Sequence, residues 1–149
     1  MVTRFPPPLA DKQEQEEGDR LAPRFDSDGL VTAITVDAAD NAVLMLAHMN
    51  AEALARTIDT GIAHYWSRSR RSLWKKGETS GNLQHIEEIS VDCDQDAILL
   101  RVRVAGHDAS CHTGRRSCFF RSLTRGEDGS LRLVTGQDQR FEPKAVYER

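Results

Sequence analysis

Cysteine is scarce in this chain, three in 149 residues, there is no excess of positive charge, and no long apolar run occurs. An odd number of thiols with no secretory signal argues against a disulfide framework and for reduced cysteines in a reducing compartment, the cytoplasm by default. The first 24 residues hold Pro6-Pro7-Pro8 and a polar run from Asp11 to Arg20, and lack the apolar stretch of roughly 7 to 15 residues that a signal peptide needs. Nothing approaches the ~20 apolar residues of a membrane span. A formal net charge of −3 speaks against a bulk nucleic-acid binder, and 149 residues suffice for one domain with its own core. No metal is needed merely to hold such a core together.

What is present is a succession of short β-branched runs separated by turn residues. Residues 1–24 read as a disordered arm, 25–123 as the body and 124–149 as a carboxy-terminal extension. Asp26-Ser27-Asp28-Gly29 carries turn chemistry and feeds a strand from Leu30 to Val36, and Asp40-Asn41 turns the chain into a second, Ala42 to His48. Asn50 as N-cap, Leu54 and Ile58 at i and i+4, and Gly61 as terminator define one short helix. A strand at Ala63–Ser67 delivers a basic, serine-rich loop, Arg68 to Lys76. A long strand from Ile89 to Val104, one from Cys118 to Leu123 and one at Leu131–Val134 follow. The pattern predicts a mainly β (α+β) fold, an antiparallel sheet or partly open barrel with one short helix.

Three groups of residues carry chemistry. In an extended strand the side-chain period of two sets Asp92, Asp94 and Asp96 on one face and Cys93 on the other. A row of hard carboxylate oxygens suits magnesium or calcium, whose charge cancels the mutual repulsion; a solvated strand end paired with arginines is the plain alternative. The thiols Cys93, Cys111 and Cys118 suit zinc. Their spacing is not the C-x-x-C knuckle, and three thiols leave a coordination position open unless His112 fills it; otherwise His112 is the adjacent base. Three unrelated small hydrophobes are the alternative here. Finally, the stretch from Tyr65 to Gly81 mixes Arg forks, hydroxyls, glycines and two tryptophans, the equipment for holding phosphates and stacking a base, with a solvated loop over core tryptophans equally compatible. His48, His64, His85 and His107 stand alone and read as structural or surface residues.

Taken together, Tyr65-Trp66-Ser67-Arg68-Ser69-Arg70, Leu73-Trp74-Lys75-Lys76-Gly77-Glu78-Thr79-Ser80-Gly81-Asn82, Val91-Asp92-Cys93-Asp94-Gln95-Asp96 and Cys111-His112-Thr113-Gly114-Arg115-Arg116-Ser117-Cys118-Phe119 closely resemble the signatures of the phosphoribosyl-AMP cyclohydrolases, ring-opening enzymes of histidine biosynthesis. The resemblance spans roughly residues 24–123. It implies a segment-swapped homodimer with zinc at Cys93 of one subunit and Cys111 and Cys118 of the other, and magnesium at Asp92, Asp94 and Asp96. It implies a substrate, phosphoribosyl-AMP, whose adenine is cationic and electrophilic at C6. Water activated by zinc would add there, His112 would handle the proton, and the N1–C6 bond would break to give the formimino carboxamide ribotide. Arg68, Ser69, Lys76, Thr79 and Ser80 would bind phosphates, and Glu78 is a further substrate-side residue and second proton carrier. The phosphoribosyl-ATP pyrophosphohydrolase domain fused in some relatives has no counterpart, so one step is expected. The implied partners are the small-molecule substrate and a second copy of the chain, without nucleic acid or membrane. A zinc-stabilised RNA-binding module using the basic aromatic run, or a regulatory thiol protein, is the competing class.

Overall fold

The computed structural model describes residues 3–147. Its centre is a six-stranded sheet in the order β4-β3-β2-β1-β6-β5. The strands are β1 (Val31–Asp37), β2 (Val43–Met49), β3 (His64–Ser67), β4 (Ser72–Lys75), β5 (Gln84–Val91) and β6 (Ala97–Val104). Neighbours pair antiparallel except β1 with β6, which run parallel. The outer strand β5 bends round to meet the segment entering β3: Ala63 N–H donates to the Gln84 carbonyl at 3.0 Å and Ile86 N–H to that of Gly61 at 2.8 Å. The sheet therefore curls into a half-barrel. Val31, Ala33, Leu44, Met45, Tyr65, Ile98, Leu100 and Val102 fill its concave side, together with Ala53 and Leu54 of helix α2 (Ala51–Thr60).

Helix α2 is set by local chemistry. Asn50 Oδ1 accepts from Ala53 N at 2.8 Å, and Gly61, left-handed at φ 73°, returns its N–H to the Thr57 carbonyl. Two further short helices occur, α1 (Lys12–Glu17) and α3 (Pro143–Tyr147), and a separate hairpin pairs β7 (Arg121–Arg125) with β8 (Leu131–Thr135). Among the described residues no helix is long and apolar enough to cross a membrane.

The structure departs from the sequence-based expectations at several points. The amino-terminal arm is packed, not disordered: Gln15 and Ala22 are buried, and α1 is capped by Asp11. The strand expected from Ile89 to Val104 is two strands, β5 and β6, joined by a tight turn at 92–96 in which Gln95 adopts φ 61°. The loop expected at 68–76 contains β4, and the strand expected to start at Cys118 begins at Arg121. The sheet is mainly antiparallel, as expected, with β1 and β6 as its one parallel pair.

Candidate active site

The loop between β6 and β7 folds back on itself. Ser110 N–H donates to the Arg116 carbonyl at 3.0 Å and Cys111 N–H to that of Arg115 at 3.1 Å, which brings the side chains of Cys111 and Cys118 into hydrogen-bonding contact. The Cys118 thiol donates to Cys111. That bond outweighs the cost of burial and, with the Thr113 hydroxyl 3.0 Å away and the charge of His112, lowers the Cys111 pKa to about 5. The same bond and desolvation push Cys118 up, so that of the two sulfurs Cys111 is the one shifted toward ionisation. Behind them Lys76 is buried, its ammonium donating to the Ser110 carbonyl and lying 5.3 Å from the Trp74 ring centre. Burial lowers the Lys76 pKa, and the two sulfurs counter that effect.

A buried polar chain ties this loop to the sheet. Thr35 Oγ1 lies 2.7 Å from the Tyr65 hydroxyl, which donates to Gln84 Oε1 at 2.5 Å, while Gln84 Nε2 donates to Ser110 Oγ at 3.0 Å. Satisfied networks of this kind rigidify what they hold. Neither Tyr65 nor Gln84 belongs to a pattern that would single it out in the sequence for this role.

Alongside runs a cleft of about 430 Å³. Lys76, Glu78, Thr79, Ser80 and His112 line it, five of the expected residues gathered in one place. Arg70, Ser72 and Lys75 of the same 65–81 stretch join them, and so does Tyr147, which only the folded chain brings to the group. Gly77 makes the turn possible: at φ 87°, any Cβ there would fall 2.4 Å from Leu83 N. Arg68 and Ser69 are elsewhere, in a second depression of about 390 Å³ with His48 and Trp66. Trp74 lines both.

The 92–96 turn is the third feature. Asp92 Oδ1 accepts the backbone N–H groups of Asp96 at 3.0 Å and Ala97 at 3.1 Å, and ligand atoms of Asp92, Asp94 and Asp96 lie within 4.8 Å of one another. Hydrogen bonding to Asp92 and Asp94, with like-charge crowding, raises Asp96 to about 6, while backbone hydrogen bonds hold Asp92 low against its desolvation. The carboxylates meet because the chain turns, not because a strand alternates. Exposed Cys93 lies on this turn, and among the described residues the aspartates are the only His, Cys, Asp or Glu triplet close enough to share an ion. The three cysteines of one chain therefore do not converge.

A cleft rich in cations and hydroxyls, beside a cysteine pair and an imidazole on a curled sheet, has the make-up of a small enzyme's binding site for an anionic ligand. Comparison with known proteins narrows this class. A sequence model of phosphoribosyl-AMP cyclohydrolase matches residues 45–120. The phosphoribosyl-AMP cyclohydrolase of Chelativorans sp. (strain BNC1) is 69% identical over 126 residues, 85% of this chain and 90% of that protein. That of Sinorhizobium fredii is 60% identical over 148 residues, 99% and 97% of the two chains, and that of Agrobacterium fabrum 54% over 147, 99% and 98%. The chain belongs to the phosphoribosyl-AMP cyclohydrolase family.

Proposed function

We propose that this chain hydrolyses the N1–C6 bond of phosphoribosyl-AMP to give the formimino carboxamide ribotide of histidine biosynthesis, as a metal-dependent cyclic-amidine hydrolase of the cytoplasm. The observation that carries the reading is the cleft in which His112 stands among Lys75, Lys76, Thr79 and Ser80, next in the chain to Cys111.

The donors fit zinc. Cys111 is shifted toward ionisation, the Cys118 sulfur is beside it, and Cys93 from a second copy would complete a set of three soft sulfur donors. Bound there, zinc would supply Lewis acidity for activating the attacking water, less strongly with thiolates than with imidazoles. His112 accepts the proton of the water attacking C6 and returns it to N1 as the N1–C6 bond breaks, and Glu78 in the same cleft is the second proton carrier. Thr79, Ser80 and the cations beside them hold one phosphate. Arg68 and Ser69, across the Trp74 wall, face the second. Asp92, Asp94 and Asp96 fit magnesium, which would relieve the crowding that raises Asp96 and offset repulsion from the phosphates.

A homodimer is supported by the β7–β8 hairpin. It joins no other sheet and leaves Leu123, Leu131, Leu133 and Val134 50 to 67% exposed, with Phe119 at 60% just before it. The test is direct: purified chain with zinc and magnesium is mixed with phosphoribosyl-AMP and the ultraviolet absorbance followed as the purine opens. An unchanged spectrum would overturn the reading.

A further inference from the structure

The carboxy-terminal segment lies beyond the 45–120 span of the family match, yet it is built into the active-site loop. Arg140 N–H donates to the Gly114 carbonyl at 2.6 Å, Gln139 Nε2 to that of Thr113 at 2.8 Å, and Gln137 Oε1 accepts from Ser117 N at 3.2 Å. An ion pair, Arg140 to Asp108 at 2.9 Å, adds to these. Phe141 is buried with Val146 and Ala109 in a small second core, its ring 5.3 Å from that of His107. Gly114 is fitted so closely that a Cβ would stand 2.4 Å from the Phe141 carbonyl oxygen. Every one of these contacts falls on residues 107–117, the stretch that carries Cys111 and His112.

The segment ends at the cleft. Helix α3 sets Tyr147 in its wall, where Trp74 and Tyr147 are the phenyl- or indole-bearing side chains beside the His112 imidazole. Tyr147 is 41% exposed, and its aromatic neighbour within the fold is Phe141, ring centres 5.8 Å apart. An exposed ring on an anchored helix, facing a polar cleft, has surface to offer a ligand rather than the core. The substrate proposed above carries a cationic purine, and an aromatic face attracts both a stacked base and a cation.

We propose that Tyr147 is a substrate-contact residue whose ring packs against the adenine, with the 137–141 clamp as the device that fixes this wall to the His112 loop. The inference rests on the reaction proposed above. Steady-state kinetics on phosphoribosyl-AMP should show Tyr147→Ala raising KM roughly tenfold, within the range that loss of one stacked aromatic produces, while Tyr147→Phe stays within about twofold of the parent. Intrinsic tryptophan fluorescence titrated with AMP, in the same full-length zinc-loaded proteins, should show a parallel loss of AMP affinity for Tyr147→Ala alone. That binding readout does not depend on turnover. Circular dichroism melting of Tyr147→Ala should be close to the parent, since Phe141 and Val146 keep the anchor; if this variant does not fold, Tyr147→Leu replaces it with the same expected losses. An unchanged KM and AMP affinity, a fall in kcat alone, or an equal loss in Tyr147→Phe would overturn the ring contact. A parent protein inactive on phosphoribosyl-AMP but binding AMP with this Tyr147 dependence would sink the reaction while leaving the contact standing.

Discussion

Gln15 and Gln95, eighty positions apart, clasp each other's backbone surroundings: Gln95 Nε2 donates to the Gln15 carbonyl at 2.9 Å while Gln15 Nε2 reaches the Asp94 carbonyl at 3.3 Å. Gln95 Oε1 also accepts from Ala22 N at 2.8 Å, its carbonyl takes the Arg24 N–H at 2.7 Å, and Gln15 Nε2 donates to the Ala22 carbonyl at 2.9 Å. Both amides are buried. The turn bearing Asp92, Asp94, Asp96 and Cys93 is therefore held by the amino-terminal segment as well as by its own hairpin.

Gln95→Ala should cut the clasp at its centre. It strands the buried Ala22 N–H, a loss of about 1–3 kcal/mol, while the left-handed backbone strain at this position is the same as in the parent. The expected result in urea unfolding is a drop within about that range, with proteolysis now entering between α1 and Arg24. Gln95→Asn suits the backbone but is one methylene short, so it should recover only part of the loss. Parent-like resistance to protease in Gln95→Ala would show that the segment is held by something else.

Gly114→Ala tests the other end. A methyl group at φ 91° meets the Phe141 carbonyl oxygen, so either the loop or the tail must move. The tail is the weaker partner, being held by a few hydrogen bonds and a three-residue core. Trypsin should cleave after Arg140 much faster in the variant than in the parent, with a stability loss of about 1–3 kcal/mol. An unaltered digestion pattern would mean the tail does not rest on Gly114 in solution.

How far the sequence reveals all this depends on how local the determining interactions are. The cap at Asn50, the stop at Gly61 and the strand at β1 are readable because each is decided within a few residues. The 111–118 loop is likewise legible, since its members lie close along the chain. The break at 92–96 is not: Asp-Cys-Asp-Gln-Asp alternates like a strand, and Gln95 turns left-handed against contacts made by residues 15–24. Nor does composition separate Arg68 from Lys76. Arg71 at φ 49° reverses the chain into β4, which leaves Arg68 and Ser69 on the far side of Trp74. Tyr65, Gln84 and Ser110 meet only because β3 and β5 curl together, a consequence of sheet closure that no short motif encodes.

Zinc content separates shared from private thiols. Cys93→Ala, Cys111→Ala and Cys118→Ala should each lose zinc and turnover while remaining folded. If the site draws Cys93 from one subunit and Cys111 and Cys118 from the other, unfolding and refolding an equal mixture of Cys93→Ala and Cys111→Ala chains restores about a quarter of the sites, because half the dimers are mixed and each mixed dimer holds one intact site. No recovery in correctly refolded mixed dimers would place all three sulfurs in the same chain or dispense with one of them.

His112→Ala addresses the proton. Turnover should fall about 10²- to 10⁴-fold, the usual contribution of a general base, with zinc stoichiometry unchanged. Equal loss of metal would make the imidazole a ligand instead.

Acid stability gives a prediction with a definite sign. Arg116 Nη2 lies 3.0 Å from Asp37 Oδ2 and 2.9 Å from Asp40 Oδ1, tying the cysteine loop to the turn between β1 and β2. The hydrogen bond from Arg116, followed by that from the Ala42 amide, holds the Asp40 carboxyl below the usual carboxylate range. A folded-state value below the unfolded one means that ionised Asp40 contributes its full stability above the unfolded pKa of about 4 and loses it as pH falls through the lower folded value. Asp40→Asn carries no such titration, and every other group is common to the two proteins. The urea midpoints of parent and variant, apart at pH 7 with the parent higher, should therefore draw together below about pH 4, and added salt should narrow the neutral-pH gap because Asp40 is exposed. A gap that stayed constant down to about pH 2 would mean that the asparagine acts through shape or hydrogen bonding, and that the charge of Asp40 contributes nothing to holding the cysteine loop.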